Sequence, residues 1–426
     1  MDAYFVEMLR RLKLTKSQRD DAIAKYTGVA KTLHDEFYGG EYNDSRKLLI
    51  GSYGKRTHIR PPGDVDLLFK IPLETFEQYD GHTWNGQAAL LQRVRTILSK
   101  KYKTTEKIAA WGKVVLVQFA DGTHSVEVLP GYEIGGVFKI PNSEDGGFWE
   151  DFDARYELNL ITDSHNRTGG KTRKLIRMIK RWRKENATMT IKAYEIEQYC
   201  VQFLDEQPHE GKSWSELVTA FFSWLSDVAH KDTTFIATAC IRATKARAYE
   251  LTDHLDKACE EWGKVFGWAF PAFSRSLDKV YILTKQFPSP SEEYIEDTFP
   301  VRINPIYSVS ILSTISGKGF RPQSFHDFVQ RYGAVPKRLE LKFQATSNVP
   351  GPVQYWWKVR NFYEEARAVN GGKGLRGEIK QGEYTGIKTE STLYKGTHYV
   401  ECYIVKDNVC VAKTLLFVPI SKENTE

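Results

Sequence analysis

The residues best suited to chemistry are two aspartates in the stretch GSYGKRTHIRPPGDVDLLF, residues 51–69. Asp64 and Asp66 flank a valine at the start of an apolar run, so a strand would project both carboxylates from one face, about 6–7 Å apart. Two unpaired carboxylates so placed repel each other, and divalent cations bound between them would relieve the repulsion. Two such ions, Mg²⁺ or alternatively Mn²⁺, could also bind a nucleoside triphosphate and activate an attacking hydroxyl.

Two further features complete this pattern. A third acid is expected from a neighbouring strand, and SVEVLP offers Glu127, which shares its strand face with Ser125. Gly51 and Ser52 form a turn just upstream of the aspartates, where a glycine lets backbone amides approach phosphate oxygens and a serine hydroxyl adds a contact. The combination predicts a metal site formed by the three acids. If the two aspartates are considered without the other features, the alternative is that they lie at the end of a strand and are exposed to solvent.

Composition limits the class of protein. The chain has 426 residues, 41% of them hydrophobic, which is enough for two or three packed domains. An excess of 60 Lys and Arg over 54 Asp and Glu gives a net charge of +6, which suits polyphosphate or nucleic acid but proves neither. Five cysteines without a C-x-x-C pair predict no disulfide framework or zinc site and fit a reducing cytoplasm. No signal peptide or membrane span is expected.

The front of the chain predicts a helix packed on a mixed sheet. Apolar residues at helical spacing predict a helix over 17–38, followed by a Gly-Gly stop. The segments SRKLLIGS and DVDLLFKIP are typical of strands. The pattern predicts a hairpin over VVLVQFADGTHSVEVLP, with a tight turn at Asp121-Gly122. From Thr172 onward the pattern indicates helices, including a long one from about Ala246 to Trp262.

The end of the chain predicts a second, mostly β domain. QFPSPSEEYIEDTFP, rich in proline and acids, is typical of a linker, and alternating stretches follow, with Asp407-Asn408 placed as a hairpin turn. The predicted class is therefore α+β. The predicted domains are a catalytic sheet with N-terminal helices over 1–170, a helical half over 171–285, a linker and domain entry over 286–336, and a smaller mostly β domain over 337–426.

The motifs G-S-Y, D-V-D-L and VEVLP together resemble the nucleotidyltransferase superfamily that includes DNA polymerase beta, oligoadenylate synthase and cyclic GMP-AMP synthase. Through IPN, the run SHNRTGGKTRKLIRMIKRW and AYEIEQY, residues 17–270 resemble more closely the bacterial cGAS/DncV-like nucleotidyltransferases, the CD-NTases. The resemblance implies a polymerase-beta-like sheet with a helical half. It also implies that the three acids bind the metal ions and catalyse, and that Gly51 and Ser52 hold the triphosphate.

The same resemblance assigns two nucleotide contacts, Lys180 to the donor triphosphate and Tyr194 to the base. The residues alone leave alternatives, since Lys180 lies on a helix that is basic throughout and an aromatic at helical spacing is often core. Two positions depart from the family pattern. Glu127 stands where aspartate is usual and is one methylene longer, which bears on deprotonation of the acceptor hydroxyl. Ala193 stands where serine is frequent, so one phosphate hydrogen bond is in doubt.

Two further segments carry candidate contacts. GKRTHIR, with Lys55, Arg56, His58 and Arg60, predicts either a mobile positive lid over phosphates or a solvated loop. The C-terminal segment from YWWKVRNFY to DNVCVAK resembles the AGS-C sensor domain, which implies recognition of a nucleotide or other small ligand. Seven residues of this segment are candidate contacts to such a ligand, and for each the alternative is an ordinary core or surface position. They are Trp356, Trp357, Lys358, Arg360, Asn361, Arg376 and His398.

The resemblance implies an enzyme that joins NTPs or dNTPs, releasing pyrophosphate, into a short cyclic or linear oligonucleotide second messenger. It further implies CBASS-like antiphage signalling, with the product acting on a separate effector protein. A homo-oligomer or a regulatory partner stays open. One alternative is an RNA-end nucleotidyltransferase, which the modest charge of +6 does not favour. Another is an inactive nucleotide sensor, which would gain nothing from three clustered acids.

Overall fold

The computed structural model describes residues 1–317 and 319–421. Its internal contacts divide the chain into two compact units, residues 12–244 and residues 1–11 together with 245–426. Both units contain helices and strands, so the predicted α+β class is confirmed. Within the described ranges, no helix combines the length and apolarity that crossing a membrane requires.

The helices and strands are numbered separately in chain order. The helices are α1 (Asp2–Leu12), α2 (Lys16–Phe37), α3 (Gly51–Gly54), α4 (Leu73–Asp80), α5 (Gly86–Lys101), α6 (Ala154–Arg167), α7 (Thr172–Glu185), α8 (Ala193–Glu206), α9 (Trp214–Val228), α10 (Thr233–Leu251), α11 (Leu255–Phe266), α12 (Leu277–Gln286), α13 (Ile295–Thr298), α14 (Phe325–Tyr332) and α15 (Tyr363–Arg367). The strands are β1 (Lys47–Leu49), β2 (Val65–Lys70), β3 (Lys107–Trp111), β4 (Val114–Gln118), β5 (Ser125–Ile134), β6 (Val137–Asn142), β7 (Phe148–Phe152), β8 (Val309–Gly317), β9 (Phe320–Ser324), β10 (Glu340–Ser347), β11 (Gln354–Arg360), β12 (Arg376–Gln381), β13 (Ile387–Ser391), β14 (Gly396–Lys406) and β15 (Val409–Ile420).

The unit of residues 12–244 is built on a sheet of order β1-β2-β5-β4-β3, which β6 and β7 extend from β5. β2 and β5 run parallel, and β4 and β5 form the predicted hairpin. Alternation along β2 and β5 buries Val65, Leu67, Val126 and Val128 against helices α2 and α5. The residues between them therefore face the other side of the sheet, where the catalytic candidates lie. The predicted helix over 17–38 is confirmed as α2, whose capping box is formed by Thr15.

The predicted helix from Ala246 to Trp262 is wrong as one element, because the chain forms α10 and α11 with a break between Leu251 and Leu255. Asp253 in this break has φ +58, a left-handed conformation that a short polar side chain tolerates. The backbone N–H of His254 donates to the carbonyl of Tyr249, 2.9 Å away, and so ends α10. Apolar residues keep their helical spacing across the break, so the sequence pattern did not reveal that the helix ends there.

In the unit of residues 1–11 and 245–426, one sheet has the order β13-β10-β8-β9 and another the order β12-β11-β14-β15. Buried side chains from both sheets, such as Phe343 and Ile404, form a common core. The predicted turn at Asp407-Asn408 is confirmed. Both residues have positive φ, +50 and +58, as the two central residues of a type I′ hairpin turn require.

The segment 286–336, predicted as linker and domain entry, contains β8, β9 and regular helical turns. β8 pairs with β10 along the whole length of β10. Even the stretch rich in proline and acids is packed, since Ile295 is buried and Glu292 pairs with Lys358 and Arg360. The acids that suggest solvent exposure in the sequence are in part buried ion-pair partners. The domain boundaries themselves stay predictions.

Candidate active site

Asp66 and Glu127 face each other across the parallel pair β2 and β5. Neighbouring strands lie about 4.8 Å apart, so their carboxylates leave the same face of the sheet side by side. Asp64 lies just before β2, and its Oδ1 accepts a hydrogen bond from the hydroxyl of Ser125 at the start of β5. The structure thus brings the three predicted acids together on the face opposite α2 and α5.

The charged forms of Asp66 and Glu127 are destabilised at this site. Burial raises the pKa of Asp66 to about 6, and the negative charge of Asp64 adds to the shift. Burial also raises the pKa of Glu127 to about 7, with further contributions from Asp64 and then Asp66. The backbone N–H of Ser52 donates to Asp66 and offsets only part of this effect. Negative charge at this site therefore lacks full compensation from the protein.

The donor set fits a hard divalent cation, because carboxylate oxygens are the ligands that Mg²⁺ prefers. Within residues 1–317 and 319–421, however, no three His, Cys, Asp or Glu side chains already stand in a metal-holding arrangement. Asp64 is hydrogen-bonded to the hydroxyl of Ser125, and Asp66 to the amide of Ser52. Asp64, Asp66 and Glu127 would hold the ions once these side chains reorient.

The Gly-Ser turn packs directly on Asp66. Gly51 begins α3 with φ +54, and a Cβ on it would lie 1.9 Å from Oδ2 of Asp66. Only glycine fits here, for reasons of both backbone conformation and space. The amides of this helical turn are thereby brought beside the acids.

A cavity of about 470 Å³ joins these features. Its lining includes every predicted site residue except Glu127, which lies on the next strand opposite Asp66. Tyr194 at the start of α8 is 56% exposed, so the alternative that this ring is a core residue is wrong. The predicted site residues in the lining are Gly51, Ser52, Asp64, Asp66, Lys180 and Tyr194.

Lys180 lies in this lining but is buried and internally paired. Its Nζ donates to Oε1 of Glu197 at 2.5 Å and to the hydroxyl of Thr57 at 2.9 Å. Lys55 reaches the other carboxylate oxygen of Glu197 at 3.0 Å and also pairs with Glu157. Burial alone would raise the pKa of Glu197, but the two lysines hold it below the ordinary value.

The sequence analysis missed Glu197. It lies three residues after Tyr194 and so shares a helix face with that ring. This spacing from Tyr194 was the only sequence signal for Glu197, and it does not reveal that Glu197 pairs with Lys180 on another helix.

The GKRTHIR segment is neither a mobile lid nor a solvated loop. Lys55 and Arg60 are buried, and the ring of His58 stacks on Tyr53 with 4.5 Å between centroids. Burial lowers the pKa of His58 to about 4, so this ring is neutral and is no phosphate-binding cation. Of the four predicted basic side chains, Arg56 is the exposed one.

The candidate contacts of the C-terminal segment are also largely internal. Trp357 is 2% exposed, and Trp356 packs on Phe299 with 5.1 Å between centroids. Lys358 and Arg360 are buried against Glu292. For these four residues the core alternative holds, because Trp357 is buried and an ion pair or a ring contact inside the unit occupies each of the other three.

Metal affinity should rise steeply with pH. Below a pKa of about 6 for Asp66 and about 7 for Glu127, protons compete with the cation for the same oxygens. We expect Mn²⁺ to bind at least about tenfold more tightly at pH 8 than near pH 5.5, as measured by calorimetric titration. Glu127→Gln should flatten this dependence, and equal affinity at both pH values would refute the competition.

Replacing Glu197 with glutamine should destabilise the unit of residues 12–244. The change leaves the buried Lys180 and the neighbouring Lys55 without this carboxylate, a loss of about 3–5 kcal/mol in unfolding free energy. Urea unfolding measures it. Asp20→Asn is the control, because its pair with Lys16 is exposed and should change stability by about 0.5 kcal/mol or less. Equal effects of the two changes would contradict the buried pairing.

Two family models and one relative match parts of this chain. Residues 1–164 match the family model described as "Second Messenger Oligonucleotide or Dinucleotide Synthetase domain". Residues 289–421 match "Adenylyl/Guanylyl and SMODS C-terminal sensor domain". A protein of Bacillus cereus named "Probable cyclic nucleotide synthase" is 23% identical over 317 residues, which cover 59% of this chain and 94% of that protein.

Solved structures give weaker likenesses. CdnC of Escherichia coli MS115-1 with ATP is 18% identical, with a TM-score of 0.47 over 63% of this chain and 98% of that one. A mutant of the Vibrio cholerae dinucleotide cyclase DncV is 13% identical, with a TM-score of 0.46 over 63% and 86%. By these matches the chain carries a SMODS domain, which is a nucleotidyltransferase domain, followed by an AGS_C domain, and it is similar to the CD-NTases.

Proposed function

We propose that the enzyme joins nucleoside triphosphates without a template into a short cyclic or linear oligonucleotide, using Asp64, Asp66 and Glu127 as its catalytic acids. The observation that carries the proposal is the pairing of Asp66 with Glu127 across parallel strands while Gly51 packs on Asp66. This arrangement sets backbone amides suited to phosphate beside carboxylates suited to cations. Ribonucleotides and deoxynucleotides are both candidate substrates.

In the proposed reaction, the acceptor 3′-hydroxyl oxygen attacks the α-phosphorus of the donor. The bond from that phosphorus to the β-phosphate oxygen breaks, and pyrophosphate leaves. Two bound Mg²⁺ or Mn²⁺ ions would supply Lewis-acid stabilisation of the phosphates and of the attacking oxygen. A Glu127 carboxylate oxygen takes the hydroxyl proton, acting as a general base on the strand next to Asp66.

The chain's own contacts hold the donor nucleotide. The Ser52 hydroxyl and the α3 amides bind the leaving phosphates, and the exposed ring of Tyr194 stacks on the base. An ammonium group has three N–H donors, and Thr57 and Glu197 occupy two of those on Lys180. The remaining donor contacts the triphosphate from the cavity wall.

In the cell, the product would serve as a second messenger that gates a separate effector protein in CBASS-like antiphage defence. The description of the matched N-terminal model supports the messenger role. The unpaired state of all five cysteines is consistent with a cytoplasmic enzyme. A regulatory protein or a second copy of the chain would adjust its output.

Mass spectrometry of products from an equimolar mixture of NTPs and dNTPs, with Mg²⁺ or Mn²⁺ and no primer, tests the proposal. We expect short oligonucleotides and one pyrophosphate released for each bond formed. Product formed only after RNA is added would favour an RNA-end nucleotidyltransferase instead. Absence of product under every activating condition would favour a nucleotide sensor.

A further inference from the structure

The unit of residues 1–11 and 245–426 holds a cavity of about 290 Å³ between its two sheets. β10 and β13 contribute one wall, and β11, β14 and β15 contribute the other. Most of its lining is apolar. Because packed sheets lie about 10 Å apart, the space between their side chains suits a flat ring. The apolar wall residues are Leu341, Phe343, Val359, Val400, Val418 and Ile420.

Charged and polar groups meet in the same cavity. Arg376 and Glu390 form two parallel hydrogen bonds, Nη1 to Oε2 at 2.5 Å and Nη2 to Oε1 at 3.2 Å. Asn361 is fixed beside them, since its Nδ2 donates to the carbonyl of Gly374 at 2.9 Å. Each carboxylate oxygen can accept more than one hydrogen bond, so Glu390 can still accept from a ligand. Apolar walls with a few fixed polar groups are typical of a small-molecule site.

Arg376 occupies this place in a strained backbone conformation. Its φ of +55 and ψ of −157 lie in a region that is essentially restricted to glycine. Glycine would therefore be the favoured residue on backbone grounds. Such strain clusters at ligand-binding sites, where the side chain is needed at that position. Compared with a glycine, Arg376 adds a guanidinium that lines the cavity and pairs with Glu390.

His398 fixes the remaining wall and does not meet the ligand. Its Nδ1 accepts from the backbone N–H of Phe362 at 3.1 Å, and its Nε2 donates to the carbonyl of Tyr394 at 2.7 Å. Burial lowers the pKa of His398, so the ring is neutral with both nitrogens used. It therefore holds in place the loop whose Tyr394 also lines the cavity. The site is preorganised.

We propose that this cavity binds the base of a purine nucleoside, with the ring between the aliphatic walls and its polar edge at Arg376, Glu390 and Asn361. A guanine edge offers acceptors to an arginine and N–H donors to a carboxylate, which is the combination these side chains satisfy. The volume of about 290 Å³ lies at the lower end of the range of small-molecule sites, about 300–1,000 Å³. The inference deepens the proposed function, because it gives the unit that follows the catalytic site a ligand to sense.

Calorimetric titration of the full chain with guanosine, adenosine and cytidine in EDTA tests this site. We expect saturable binding of a purine nucleoside, tighter than cytidine. Arg376→Gly should weaken it by about tenfold or more; the glycine relieves the backbone strain and Glu390 keeps its pair with Lys388, and circular dichroism checks that the variant is folded. Glu390→Gln should also weaken it. No purine binding up to millimolar concentration, binding unchanged in both variants, or equally tight cytidine binding would overturn the assignment.

Two controls separate this test from that of the proposed function. Arg338, at φ +64, is another strained arginine of this unit and is not in the cavity lining, so Arg338→Gly should leave nucleoside binding unchanged. Asp66→Asn should abolish nucleotide incorporation and keep nucleoside binding. Loss of nucleoside binding in Asp66→Asn would place the ligand at the catalytic site and overturn the C-terminal assignment.

Discussion

Asp66→Asn should abolish nucleotide incorporation and at the same time stabilise the metal-free protein. The loss of activity should be roughly a thousandfold or more, since metal-ion stabilisation of the transition state is worth several kcal/mol. The gain in stability follows from the pKa of Asp66, which burial raises from 3.8 to about 6. Between these two values the folded state binds more protons than the unfolded state, so the free energy of unfolding falls as pH rises.

One pKa unit corresponds to about 1.4 kcal/mol, so the charged Asp66 opposes folding by at most about 3 kcal/mol above pH 6. Asparagine removes this charge. Thermal unfolding in EDTA should therefore show a higher melting temperature for the variant at pH 8 and no gain near pH 4. Asp35→Asn, on the exposed surface of α2, should change neither activity nor stability. Retained incorporation by Asp66→Asn would remove this residue from the active site.

Gly51→Ala should lower incorporation by at least about a hundredfold, because the new methyl group collides with the carboxylate of Asp66, the proposed metal ligand. The Cβ would lie 1.9 Å from Oδ2 and 2.6 Å from Cγ of Asp66, and the φ of +54 is also unfavourable for alanine. Either Asp66 or the α3 turn must move, and both lie in the site. Initial rates of pyrophosphate release measure the effect.

Gly39→Ala is the matched control for backbone strain. Gly39 has φ +66, and a Cβ added to it would meet no atom within 4 Å, so alanine there imposes the strain without the collision. We expect this variant to lose a little stability and to keep its activity. Comparable activity of Gly51→Ala and Gly39→Ala would show that the turn does not need to contact Asp66.

Local sequence patterns were sufficient to predict the strands that carry Asp66 and Glu127. Alternation in β2 and β5 separates these acids from the buried valines, and the turn prediction at Asp407-Asn408 depends on adjacent residues only. The tight turn predicted at Asp121-Gly122 is instead part of a longer connection over residues 119–124. The pairing of Asp66 with Glu127 follows once β2 and β5 are neighbours. Such features were predictable because the relevant forces act between residues close in sequence or within one strand pair.

Features that depend on distant partners were not predictable. Nothing near Lys180 indicates that Glu197 will pair with it, and a basic helix face is equally consistent with solvent exposure. The acids around residue 292 indicated a linker, although Glu292 pairs with the buried Arg360 and is itself only 11% exposed at its side chain. Similarly, aromatic side chains next to each other in sequence did not reveal that Trp357 fills a core. Charge and aromaticity show what a side chain can do, and packing decides which partner it meets.

The most direct test is anomalous diffraction from crystals grown with Mn²⁺ and a non-hydrolysable nucleoside triphosphate. We expect manganese peaks within coordination distance, about 2.0–2.3 Å, of carboxylate oxygens of Asp64, Asp66 and Glu127, with the triphosphate against Gly51 and Ser52. Manganese bound elsewhere with these three carboxylates unliganded would contradict the account.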